Sequence, residues 1–325
     1  MSCVGCSCDA GLSNTGTGCT PIMQVARKVI LVPVYDVLGN KNRVLYSATL
    51  NQAYFDTRLD NDTADGDKWT PLPDMKNVED VRGDNIMETF DDQSTVFIQE
   101  ASRKFTGIIV GASGSGSASP QLKGYIEQAR CVNVGVYFVD KNGNLIGKNS
   151  SDGLALEPIV IDEQSLSVML VKTTDKTIQK LQVSFNFDIN EKDEDLRMIV
   201  CDELGGADLL AIEGELEVNW VFSAITTTSI TVRLYTNYGT PINPLVVTGM
   251  AVDNFFSWET GTTGKIRNTT DNTNVTITGL TESPNGTYAL TYASQTVGDI
   301  LQFSMSASGF DFNGMEDDLV TIPIS

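Results

Sequence analysis

At 325 residues the chain is long enough for two domains, and its 41% apolar and 8% aromatic content is enough to build cores, which excludes disorder of the whole chain. Its 22 basic against 42 acidic residues give a formal net charge of −20, which argues against binding nucleic acid by phosphate neutralisation and against docking on an anionic membrane. No histidine occurs, so Ser-His-Asp and Cys-His nucleophiles and His-ligated zinc, haem or non-haem iron are excluded.

Three regions are expected in chain order: a cysteine-rich arm over 1–20, a β domain over 21–222 and a second β domain over 223–325. The arm carries Cys3, Cys6, Cys8 and Cys19. Four thiolates can hold a tetrahedral zinc or an iron–sulfur cluster, but this spacing matches no standard set. Disulfides are as open as a metal and free thiols on a flexible arm are the other alternative, so zinc there is one alternative and no other cofactor is expected. The arm has neither a basic n-region nor an apolar h-region, and no stretch approaches the ~20 apolar residues of a membrane helix. The expectation is a protein made in, and staying in, a cytosol. The Asn-x-Thr triplets at Asn268, Asn274 and Asn285 then carry no glycosylation meaning.

The middle region opens with an apolar strand over 28–35 and a turn at 38–41. Residues 50–95 are polar and acidic and predict a long loop of the interface-forming kind. Within it, Asp60, Asp62, Asp65 and Asp67 resemble a calcium loop in composition. The order fails, because Ala64 stands where an Asp or Asn is needed and no Glu closes the loop. These four carboxylates are therefore expected in a solvated turn or an inter-subunit contact. Residues 94–100 and 104–110 read as strands, and 111–119 is a Gly/Ser connection without the Lys-Ser/Thr of a phosphate loop. Ser119-Pro120 supplies an N-cap and an N1 proline, and Leu122, Tyr125, Ile126 and Ala129 fall on one face of a helix over 121–131. It is the one helix the pattern predicts.

Period two then returns. A strand over 132–139 turns at Asn142-Gly143 into a return strand from Leu145. Further strands are expected at 159–161, 165–171, 178–189, 196–201 and 215–222. Cys131 and Cys201 read as core residues. The last region predicts seven short strands, at 230–235, 245–250, 255–258, 275–277, 287–292, 300–306 and 319–324, the pattern of an immunoglobulin-like sandwich. Phe255, Phe256 and Trp258 are sugar-stacking candidates or sandwich core.

Gly286-Thr287-Tyr288 leading into a strand, then Val297-Gly298-Asp299, resembles the late strands of bacterial and phage immunoglobulin-like domains. Met87 to Asp92 running into Val96-Phe97-Ile98, and Arg103 to Ile108, with their place in the order of elements, resemble bacteriophage tail tube proteins. That resemblance implies a mainly β fold: a tube-type sandwich or barrel with one amphipathic helix, followed by the immunoglobulin-like sandwich. It implies a non-enzymatic virion subunit, assembled in the host cytoplasm, that forms homo-oligomeric rings and contacts other tail proteins. DNA would pass through a lumen lined with carboxylates without specific binding. The 50–95 loop would stack on the next ring. The alternative is a head-decoration, fibre or adhesin protein reading host surface glycans through the C-terminal sandwich. A carboxylate-pair enzyme such as a glycosidase is the remote third reading, since no fixed acid–base pair stands out.

Overall fold

An apolar run without alternation needs burial on both faces of its sheet, and Val29-Ile30-Leu31-Val32 finds it. Val29 and Leu31 enter one core while Ile30 and Val32 enter another on the opposite face. The protein is seen here as a computed structural model that describes residues 23–59, 63–64, 66–111, 118–214, 218–239, 244–257, 262–283, 286–304 and 320–324. It is mainly β and divides into two units, at residue 213/214.

The first unit contains β1 (Ala26–Pro33), α1 (Gln52–Leu59), β2 (Met75–Arg82), β3 (Ile86–Thr89), β4 (Thr95–Gln99), β5 (Arg103–Val110), α2 (Pro120–Gln128), β6 (Val134–Asp140), β7 (Leu145–Asn149), β8 (Ser167–Val171) and β9 (Lys180–Asn186). One sheet has β7, β6 and β1 at its centre, with the short strands Val44–Leu45, Ala155–Glu157, Thr70–Pro71, Ile159–Val160 and Leu196–Ile199 around them. Every residue of β6 is buried, and like β1 it feeds both cores: Val134, Val136 and Phe138 on one side, Tyr137 and Val139 on the other. The turn from β6 to β7 is held by Asp140, whose carboxylate accepts from the Asn142 and Asn144 backbones, and Gly143 adopts φ +84°.

The second sheet of this unit has the order β8-β9-β5-β2, antiparallel throughout. Here the residues alternate. Phe105, Ile109, Leu181, Val183 and Phe185 point into the core shared with β1 and β6, and each such side chain stabilises by roughly 1.5–3 kcal/mol. Phe105 stacks on Phe185 with centroids 4.9 Å apart and lies 5.0 Å from Phe138. Ile126 of α2 enters the same core, beside Leu166 and Val168. The Ser119 side chain accepts from Leu122 N at 3.0 Å, so this helix begins where the N-cap and proline place it. It passes into a 3-10 turn at Ala129–Cys131.

Residues 50–95 are not a long loop. They hold α1, two strands and half of a hairpin. Asn51 caps α1 by accepting from Tyr54 N at 2.9 Å, and Phe55 and Leu59, one turn apart, fix it onto the second core with Trp69. Two inward residues in eight are too few to show a helical period. Lys28 is buried beneath this side of the unit, donating from Nζ to Leu210 O at 2.7 Å and to Ile212 O. Burial is the leading influence on it and lowers its pKa.

The second unit contains β10 (Val218–Ser223), β11 (Ser229–Gly239), β12 (Lys265–Asn268), β13 (Thr273–Ser283), β14 (Thr287–Tyr292), β15 (Ile300–Phe303) and β16 (Val320–Pro323). The strand expected to close the first domain, β10, pairs with β11 and so opens the second. The order is β10-β11-β14-β13-β12-β15-β16, with Pro244–Val246 also on β11. β13 joins the two halves: Thr273–Thr276 pair with β12, and Ile277–Ser283 pair with β14 across an irregularity at Ile277/Gly279. Gly286 shows why the sequence has glycine there. Its φ is +62°, and a Cβ would lie 2.7 Å from Val247 O. The Tyr288 hydroxyl, on a fully buried side chain, donates to the same carbonyl at 2.8 Å.

Candidate assembly surfaces

β3 and β4 form a two-stranded hairpin that carries no core of its own. All nine of its strand residues are exposed. Ile86, Met87, Phe90, Val96, Phe97 and Ile98 each leave about half of their surface open. An isolated two-stranded hairpin is marginal in water, and the exposed apolar side chains on its two faces make it a candidate interaction surface. Asp84, Glu88, Asp91, Asp92 and Glu100 add negative charge, and no Lys or Arg lies between Gly83 and Ala101. The tip is ordered by Asp92, whose side chain accepts from Ser94 N at 2.9 Å and from Ser94 Oγ at 2.5 Å. These bonds hold its carboxyl below the ordinary value.

An ion-pair network fixes the root of this hairpin on β2 and β5. Arg103 takes both oxygens of Asp80 and reaches Asp193 at 3.2 Å. Arg82 bridges Glu100 at 3.0 Å and Asp193 at 3.2 Å. Arg103 also lies over the Phe187 ring at 4.5 Å. Burial works against its charge, but Asp80 and Asp193 outweigh that and raise its pKa.

The sheet β8-β9-β5-β2 offers a second surface. Among the described residues β8 pairs only with β9, and β2 only with β5. Three antiparallel steps separate the two edges, so they run in opposite directions. The face turned away from the core carries Ser167, Met169, Thr106, Ile108, Gln182, Ser184 and Asn186. Its charges are Lys76, Lys104 and Lys180 against Glu79. Among the described residues Glu79 is the one carboxylate on this face.

Of the residues singled out in the sequence, Cys3, Cys6, Cys8, Cys19, Asp60, Asp62, Asp65 and Trp258 lie outside the described residues. Asp67 sits in a turn, its N–H donating to Ala64 O at 2.7 Å. Among the described residues no group of His, Cys, Asp or Glu is placed to hold a metal ion. Phe255 is fully buried in the second unit's core and offers no ring to a sugar. Cys201, expected as a plain core residue, is disulfide-bonded. The β3–β4 pairing was hidden because Ile86–Thr89 alternates no better than its flanks. The mixed charge along Met75–Arg82 likewise concealed an edge strand whose partner, β5, supplies its ladder.

The chain matches no protein-family profile, no curated protein and no solved structure. No helix among the described residues is long and apolar enough to cross a membrane.

Proposed function

We propose that this chain is a virion structural subunit, of the phage tail tube kind, that closes into homo-oligomeric rings by pairing β2 of one copy with β8 of the next. The observation that carries this reading is the antiparallel sheet whose two edges, unpaired among the described residues, run in opposite directions. Copies related by rotation about an axis along the strands would place β8 antiparallel to the neighbour's β2. Every junction would then continue the ladder, and ring closure would leave neither edge of this sheet exposed. The polar face of the sheet would line the channel. It is a mixed surface of amide, hydroxyl and apolar side chains with a small lysine excess, so the reading does not rest on carboxylates repelling DNA. DNA passing without specific binding, contacts with other tail proteins and a place in the virion remain parts of this proposal.

The strand order of the second unit supports an immunoglobulin-like reading of it. Taken as A to G, β10, β11, β12, β13, β14, β15 and β16 group as A-B-E-D and C-F-G, the two sheets of that fold. Projection of this unit toward a host surface belongs to the same proposal. An adhesin role loses one of its aromatic candidates with the burial of Phe255.

Electron microscopy of the purified protein over a concentration series tests the ring. Rings of uniform diameter are expected. Met169→Pro in β8 and Val81→Pro in β2, each checked for retained fold by circular dichroism, should leave monomers. A wild-type chain that stays monomeric at high concentration overturns the reading.

A further inference from the structure

Cys201 opens a 3-10 turn, Cys201–Leu204, and is disulfide-bonded. The other cysteines of the chain are Cys3, Cys6, Cys8, Cys19 and Cys131. Cys201 lies beside the turn from β6 to β7, where its N–H donates to Asn144 Oδ1 at 3.0 Å. Cys131 lies at the opposite end of β6. It ends the 3-10 turn Ala129–Cys131, just before Val134, and Arg130 beside it donates to Leu166 O. The chain reaches Leu166 from Ile161, whose N–H donates to Val134 O, so this whole corner sits where β6 begins. The length of β6, about 20 Å, separates the two cysteine backbones. A disulfide needs Cα atoms within about 7 Å, which puts Cys131 out of reach. The lead-in to β1, by contrast, lies at the Cys201 end. Gln24 N donates to Asp140 Oδ2 at 3.4 Å, and Lys141 N donates to Val25 O at 3.2 Å. Asn144 Nδ2 donates to the same Asp140 oxygen at 2.9 Å. One buried carboxylate and one buried amide thus connect Gln24 to Cys201.

We infer that Cys201 is joined to Cys19, a cross-link that fastens the start of the chain to the β6–β7 turn. Cys19 is the arm cysteine nearest in sequence to Gln24, on a tether of up to about 17 Å. Cys3, Cys6 or Cys8 would close a longer loop between Gln24 and Cys201, at greater entropic cost. Forming the bond takes two electrons and two protons from the two thiols. Thiol–disulfide exchange passes both to a low-molecular-weight disulfide, which leaves as two thiols. The link spans most of the first unit, which ends at Glu213, so it acts chiefly by restricting the unfolded chain. It also leaves Cys3, Cys6 and Cys8 in the arm, one short of the four thiolates of an all-cysteine zinc site.

Non-reducing digestion of the full chain with a protease that cuts before aspartate tests the pairing. Cuts before Asp9 and Asp36 separate Cys19 from the other arm cysteines, and cuts before Asp195 and Asp202 release Cys201. Mass spectrometry should find residues 9–35 joined to residues 195–201, and a dithiol reductant should part them. Reduction should lower the melting temperature of the first unit by about 5–15 °C. Cys19→Ser and Cys201→Ser should each melt like the reduced wild type and no longer respond to reductant. Cys131→Ser should keep the response. A Cys201 peptide joined to residues 1–8 or to the Cys131 peptide, or found unpaired in protein purified without reductant, overturns the assignment. So does a Cys19→Ser chain that responds to reductant as the wild type does.

Discussion

Nε of Arg103 donates to Asp80 Oδ1 at 2.6 Å, and Nη2 of the same guanidinium takes Oδ2, so one planar fork closes across the β2–β5 ladder where the exposed hairpin begins. Arg103 is only 13% exposed at its side chain, which makes this pair more than a surface ornament. Arg103→Met keeps the apolar stem over Phe187 and leaves Asp80 without its fork. Urea unfolding should register a loss of about 1–3 kcal/mol. An unchanged midpoint would show that the network contributes nothing to the first unit.

The ring of Phe105 joins both sheets of the first unit, touching Phe185 and Phe138. Phe105→Ala should cost about 3–5 kcal/mol, through lost burial and the cavity left behind. Ile108→Ala, one pleat away on the open face, should cost far less, within about 1 kcal/mol. Thermal unfolding of the two variants side by side measures the difference. Equal losses would mean the sheet has no distinct inner face.

Gly286 and Gly298 both hold positive φ, at +62° and +98°, but only the first is crowded. Alanine at Gly298 meets nothing within 4 Å and adds backbone strain alone, about 1–2 kcal/mol. Alanine at Gly286 adds contact with Val247 O at 2.7 Å and should destabilise the second unit further. A reversed ranking in chemical denaturation would contradict the turn geometry.

Asp152 gives a signed pH dependence. Hydrogen bonds from Ser150, the Leu154 backbone and Arg43 lower its pKa to about 2. Because the folded value lies below the ordinary 3.8, its contribution is present above pH ~4 and is lost as pH falls through about 2. Asp152→Asn should therefore flatten the melting temperature over that window and leave the profile from pH 5 to pH 7 parallel to the wild type. Identical acid slopes would remove Asp152 from the account.

What the sequence disclosed follows from where each element finds its partners. α2 was legible because Ser119, Pro120, Leu122 and Ile126 act locally, through a cap, a fixed φ and a helical face. β1 and β6 were legible as strands from apolar runs, but not as the layer between two cores. That depends on α1 and the 204–212 segment arriving from distant parts of the chain. α1 itself shows only Phe55 and Leu59 inward, and β2 is a polar edge whose ladder comes from β5. The exposed hairpin was half visible. The Val96-Phe97-Ile98 strand was plain, yet its exposure was not, because an apolar residue carries no mark in the sequence of whether another chain will cover it.

The unbroken burial of β6 has a consequence for how the first unit can deform. Its amides are shielded by side chains above and below, so they should exchange with solvent only when the whole unit opens. β2, paired on one side alone, can fray without disturbing that layer. The unit thus places a strand covered on both faces one layer behind a strand that is paired on one side alone.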